Sequence, residues 1–83
     1  MTYRPWLEGA ALRQMAGLPL EALETLVRVL SRICDDPYER LFSAALRDDR
    51  RERIAELGDW GFIEFSVDDD AGLIHVYHLV WSG

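Results

Sequence analysis

Helices in the first half of the chain and a sheet in the second predict an α+β fold. Two patterns carry that expectation. Apolar residues recur at helical spacing over residues 20–34, and a strand–turn–strand pattern fills residues 63–81. Length sets the scale: 83 residues correspond to one domain, 1–83, with a modest core.

Residues 2–7 carry Tyr3, Trp6 and Leu7 and read as a short strand. Pro5 confines it to a sheet edge, because proline has no N–H to give to a ladder. Residues 10–16 read as a short helix with Leu12 and Met15 on its apolar side, Gly17 as its cap and Pro19 just beyond.

The second helix, over residues 20–34, is the strongest signal. Pro19 suits its first position, and Glu21 and Glu24 complement the positive end of the helix dipole. Leu20, Leu23, Leu26, Val27, Leu30, Ile33 and Cys34 form its apolar stripe, with Glu24, Arg28 and Arg32 on the exposed side. Asp36-Pro37 ends it, since proline disfavours helical geometry in the residue before it.

Residues 38–46 fit either a helical turn or a packed loop. By propensity residues 50–57 read as helix capped by Gly58. Beyond them Ile63, Phe65 and Val67 alternate with Glu64 and Ser66, the period of a half-buried strand. Asp68-Asp69-Asp70-Ala71-Gly72 is turn chemistry, and residues 73–81 are apolar on both sides, as in a central strand. The two strands make a hairpin.

Composition excludes several classes. Hydrophobic residues at 49% reject disorder. Cys34 is the single cysteine, so neither an internal disulfide nor a cysteine-based zinc site can form. A lone thiol, no secretory-type apolar run after Leu7 and no membrane-length stretch give a cytoplasmic expectation, with no membrane partner. Nine basic against fifteen acidic residues leave a net charge of -6, which repels polyanions at long range. Any nucleic-acid role then needs a local basic patch.

Arg47, Arg50, Arg51 and Arg53 supply the densest such patch. It reads as a phosphate site or, with Asp48, Asp49 and Glu52 interleaved, as a solvated face. His75 and His78 are three apart on the last strand, so a regular strand points them to opposite faces and they cannot act as a pair. On that reading His78 shares a face with Ile74, Val76 and Val80. His75 shares one with Tyr77, Leu79 and Trp81. Either histidine suits general acid–base work, or is an ordinary half-buried residue. Glu56 and Glu64 flank the Gly58 turn, where paired carboxylates would meet across a hairpin. Asp68, Asp69 and Asp70 lack the spacing of a calcium loop and read as a turn. Cys34 reads as a buried thiol, and Trp60, between Gly58 and Gly61, as an exposed turn residue. No metal and no cofactor is expected.

The order of segments resembles the RelE/ParE superfamily of bacterial type II toxin–antitoxin pairs. The likeness rests on Tyr3 and Trp6 followed by Ala10, Ala11 and Leu12. It rests also on Leu18-Pro19 opening the long helix, Asp36-Pro37 closing it, and Gly58-Asp59-Trp60 leading to a strand that ends Val67-Asp68-Asp69. It implies a short N-terminal strand, two helices, then a three-stranded antiparallel sheet packed on the helices. Residues 53–57 become a strand, against their helical propensity, and a third strand helps a lone hairpin.

The resemblance implies a toxin that pairs with an antitoxin protein. In the RNA-cleaving members it is a metal-independent endoribonuclease acting on mRNA at the ribosome. Arg51 or Arg53 would then stabilise the phosphate and His78 would assist proton transfer. The sequence departs from those members in two places. Gly61 and Phe62 stand where an arginine follows the turn, and Val80-Trp81-Ser82-Gly83 lacks their basic residues. The alternative is a binding module without catalysis, directed at gyrase or holding only an antitoxin or a second copy.

Overall fold

The computed structural model describes residues 3–59 and 61–82. It has the α+β order read from the sequence: β1 (Arg4–Leu7), α1 (Gly9–Ala16), α2 (Leu20–Asp35), β2 (Ala44–Ala45), β3 (Glu52–Leu57), β4 (Gly61–Asp68) and β5 (Leu73–Trp81). The sheet departs from expectation. It is five-stranded and mixed, in the order β1-β5-β4-β3-β2, rather than three-stranded and antiparallel. β1 lies parallel to β5, with Trp6 beside His75 and Leu7 beside Val76. The α1–α2 pair carries the chain from β1, at one edge of the sheet, to β2 at the other, and the later strands step back until β5 lies beside β1. Pro5 is on an edge strand, where its missing N–H costs nothing.

Burial explains why residues 52–57 are a strand despite helical propensity. Arg53, Ala55 and Leu57 are buried on one side, and the segment pairs with β4 along its whole length. Pairing and burial outweigh the few tenths of a kcal/mol per residue that propensity contributes. Residues 38–46 are neither a helical turn nor a loop throughout: turns lead into β2, which pairs Ala44 with Ile54 and Ala45 with Arg53.

The helices cover one face of the sheet. Ala11, Leu26, Ile33 and Cys34 pack with Ala55, Leu57, Ile63, Phe65, Val67, Ile74, Val76 and Leu79. Each large apolar side chain so buried contributes roughly 1.5–3 kcal/mol. The buried side of α2 is narrower than its apolar stripe: Ala22 and Leu26 are inside, while Leu20 and Val27 remain 72% and 67% exposed. Pro19 is the N-cap of α2, one residue earlier than its expected place, and its carbonyl accepts the Ala22 and Leu23 N–H groups at 3.0 Å each.

Two glycines shape the β-hairpins. Gly72 closes the β4–β5 turn at φ 68 while the Asp68 carboxylate accepts the Ala71 N–H at 3.0 Å. At the start of β4, a Cβ on Gly61 would lie 2.0 Å from the Val80 carbonyl oxygen, so the two backbones approach as only glycine allows.

Candidate active site on the open sheet face

The face away from the helices is set by the pairing. Phe62, Glu64 and Ser66 on β4 stand beside Glu56, Ile54 and Glu52 on β3. On the other side they stand beside Val80, His78 and His75 on β5. Counting outward from the β4–β5 turn puts Glu64 opposite Tyr77. The structure puts it opposite His78, because the register shifts between Glu64 and Phe65 and leaves Tyr77 without a partner. This β-bulge inverts the alternation of β5.

His75 and His78 therefore share one face, contrary to the opposite-face expectation. Ile74, Val76 and Leu79 are buried toward the helices, and Trp81 packs against that core. The expected companions change accordingly: His78 parts from Ile74 and Val76, and His75 from Leu79 and Trp81.

Two groups of polar side chains occupy the middle of this face. The His78 ring nitrogen Nδ1 lies 3.4 Å from Glu64 Oε1. Phe62 meets the imidazole edge-on, with ring centroids 6.1 Å apart. Tyr77 reaches across β4, its hydroxyl donating to Glu52 Oε1 at 3.5 Å. Arg47, from the segment after β2, donates to that hydroxyl at 3.4 Å and pairs with Glu52 at 3.5 Å. The Tyr77 hydrogen bond, with the nearby carboxylates, holds the Arg47 guanidinium above its ordinary pKa. Closer to β1, His75 Nδ1 pairs with Glu8 at 3.1 Å beside the exposed Trp6.

An imidazole oriented by a carboxylate can take or give a proton, and a guanidinium can stabilise an anionic centre. The bulge places both on one surface. Neither Arg51 nor Arg53 joins them. Arg53 is 6% exposed and faces the helix side. It donates Nε to Ser43 Oγ at 2.8 Å and its terminal nitrogens to the Ser43 and Arg50 carbonyls at 3.2 and 2.8 Å. Arg51 sits at the end of the sheet, paired with Asp49 at 3.3 Å and adjoining Asp68, Asp69 and Asp70. Glu56 and Glu64 share a face without pairing, since Glu56 stands opposite Phe62 and Glu64 opposite Ile54.

The other candidates are structural. Asp69 accepts the Tyr3 hydroxyl at 2.6 Å and the Tyr38 hydroxyl at 2.9 Å. Those bonds hold its carboxyl below the usual pKa. Tyr38 is pushed up to about 12, by burial first and by Asp69 second. Its ring also carries Arg50 at 4.4 Å and Arg53 at 5.4 Å. Cys34 is buried, and burial raises its thiol pKa. Trp60 lies outside the described residues. Among the described residues no group of three or more His, Cys, Asp or Glu is placed to hold a metal ion, and no helix is long and apolar enough to cross a membrane.

Arg47, Glu52 and Tyr77 are the members that sequence reasoning does not single out. Arg47 appears only within the arginine cluster, and Tyr77 is hidden by the bulge, which has no periodic signature.

No protein-family model and no curated protein matches the chain in sequence. Solved structures do match. The E. coli toxin RelE, a double arginine-to-alanine mutant solved with an antitoxin RelBc peptide, superposes with a TM-score of 0.83 at 18% identity, covering 100% of this chain and 86% of that one. The archaeal RelE from a RelE–RelB complex of Pyrococcus horikoshii OT3 superposes with a TM-score of 0.76 at 20% identity, covering 100% and 98%. From β1 to β5, then, the chain has the fold of the RelE toxins.

Proposed function

We propose that this chain is the toxin of a type II toxin–antitoxin pair, a single RelE-like domain that acts in the cytoplasm by cutting RNA on its open sheet face. The observation that carries the reading is a fold shared over the whole chain with two RelE proteins solved in complex with RelB. The open-face chemistry supports cleavage. His78, oriented by Glu64, takes the proton of the attacking 2′-hydroxyl; the 2′-oxygen bonds to phosphorus as the P–O5′ bond breaks, leaving a 2′,3′-cyclic phosphate, and the departing 5′-oxygen takes a proton from water. Arg47 stabilises the charge that develops on the phosphate. Arg47 fills the role that the resemblance gave to Arg51 or Arg53, because it is the one on the His78 side of the sheet. Arg53 instead serves as a scaffold.

Glu8, Glu52, Glu56 and Glu64 on or beside this face favour a second reading, a toxin-like binding module without nuclease activity. Expression without a neighbouring antitoxin separates the two. A nuclease arrests growth and stops cell-free translation, and Arg47→Ala or His78→Ala restores it. Continued translation with inhibited supercoiling identifies a gyrase-directed protein, and no effect on either identifies a binding module.

A further inference from the structure

The short strand β1 carries two side chains that the proposed cleavage does not use. Leu7 packs against the core under the helices, so strand alternation puts Trp6 on the opposite, open face. Arg4, two residues before it, shares that face. The Trp6 indole is 57% exposed there. Arg4 is exposed as well and has no carboxylate within 4.0 Å among the described residues.

Sheet register joins this pair to the candidate active site. Trp6 lies beside His75, His75 beside Ser66 and Ser66 beside Glu52. At a strand spacing of about 4.8 Å the row crosses the open face in roughly 14 Å. At its far end Glu52 meets Arg47 and Tyr77. Glu8, the acidic residue at the β1 end, is engaged by His75 at 3.1 Å. The row therefore has an aromatic and a cation at β1, hydrogen-bonding side chains in the middle and a second cation beyond β3. That order suits a single-stranded polynucleotide: bases stack on an indole, guanidiniums take phosphates, and polar side chains meet base edges and sugars. A protein hot spot would need a desolvated surround, whereas Trp6 has the sheet edge on one side and the polar His75 on the other. Stacking also tolerates a net charge of -6, since it does not rely on the long-range field.

We infer that Trp6 and Arg4 form a docking subsite for the substrate strand, Trp6 stacking on one base and Arg4 holding a neighbouring phosphate, a short way along the strand from the bond that is cut. That the strand is a substrate rests on the function proposed above; the stacking and the phosphate contact do not.

The test is fluorescence anisotropy of labelled dodecaadenosine RNA with the full chain carrying His78→Ala, which removes the proposed base and keeps the RNA intact. In that background Trp6→Ala should weaken binding roughly tenfold, and Trp6→Phe should restore most of it, because a phenyl ring still stacks. Arg4→Ala should weaken binding and reduce the slope of log affinity against log salt by about 0.7, as loss of one phosphate contact requires. The Trp6 indole N–H resonance should move on adding the RNA. No RNA binding, equal affinity with and without Trp6, or a phenylalanine variant no better than the alanine one overturns the inference. Cleavage by the chain with His78 intact is read separately. Cleavage that Trp6→Ala leaves untouched removes the subsite and keeps the nuclease reading. Binding that depends on Trp6 without any cleavage removes the nuclease reading and keeps the subsite.

Discussion

Glu64 and His78 stand opposite each other on adjacent strands, 3.4 Å apart from Oε1 to Nδ1, only because a bulge displaces Tyr77 from the ladder. The carboxylate fixes the ring from one side and Phe62 from another. If His78 is the base, His78→Ala lowers RNA cleavage about 10²–10⁴-fold. Glu64→Gln retains a hydrogen-bond acceptor and loses the charge that stabilises the imidazolium, so the loss is smaller. Single-turnover cleavage of an mRNA on programmed ribosomes measures both. Equal activity of wild type and His78→Ala rejects the assignment.

Arg53 and Arg51 should separate cleanly in a stability measurement. Arg53→Ala leaves Ser43 and the Arg50 carbonyl short of a charged donor in a buried place. Hydrogen bonds to charged groups contribute about 1.5–3 kcal/mol each, and their loss is not additive, so a destabilisation of roughly 2–4 kcal/mol is expected. Arg53→Lys recovers little of it, because an ammonium cannot span those acceptors. Arg51→Ala, which loses one exposed pair with Asp49, should leave the urea midpoint almost unmoved.

This contrast shows where the sequence can be read and where it cannot. Both arginines lie in one charged run, and charge alone does not tell a solvated guanidinium from one held by a buried serine. α2 and β4 are legible because each repeats a period long enough to see, and β5 because it is a run of branched and aromatic residues after a turn. β1 is legible as an edge because Pro5 forbids anything else. β2 is two residues long and has no period. Residues 52–57 carry helix formers, and their strand state is imposed by pairing with β4, a non-local cause. The bulge is the costliest omission. One extra residue moves His75 and His78 from opposite faces to the same one, and with them the whole candidate site.

Gly61→Ala tests the close approach of β4 and β5. The added methyl would lie 2.0 Å from the Val80 carbonyl oxygen, which is backbone and cannot rotate away. Relief requires parting the strands near Trp81, which Gly61 pairs with. Overpacking of this kind costs about 1–3 kcal/mol or more. Urea unfolding followed by far-UV circular dichroism should show the lower midpoint, with the slope retained. An unchanged midpoint would mean that the strand ends separate freely.

Asp69 and Tyr38 predict both limbs of the stability–pH curve. Asp69 titrates lower in the folded chain than in the unfolded one, owing to the Tyr3 and then the Tyr38 hydroxyl. Its contribution is therefore present above the ordinary carboxylate pKa and disappears as pH falls through the depressed folded value. Tyr38 has the opposite sign. With a folded value of about 12 against an ordinary 10.0, its contribution is intact below pH 10.0 and is lost as pH rises toward 12. Thermal melts across pH should show stability falling at both extremes. Asp69→Asn should flatten the acid limb, since the amide no longer ionises. Tyr38→Phe should flatten the alkaline limb only in part, because Tyr3 also titrates above its ordinary value through the same carboxylate. A Tyr3→Phe, Tyr38→Phe double variant with an alkaline limb as steep as wild type would show that the phenol–carboxylate cluster does not control it.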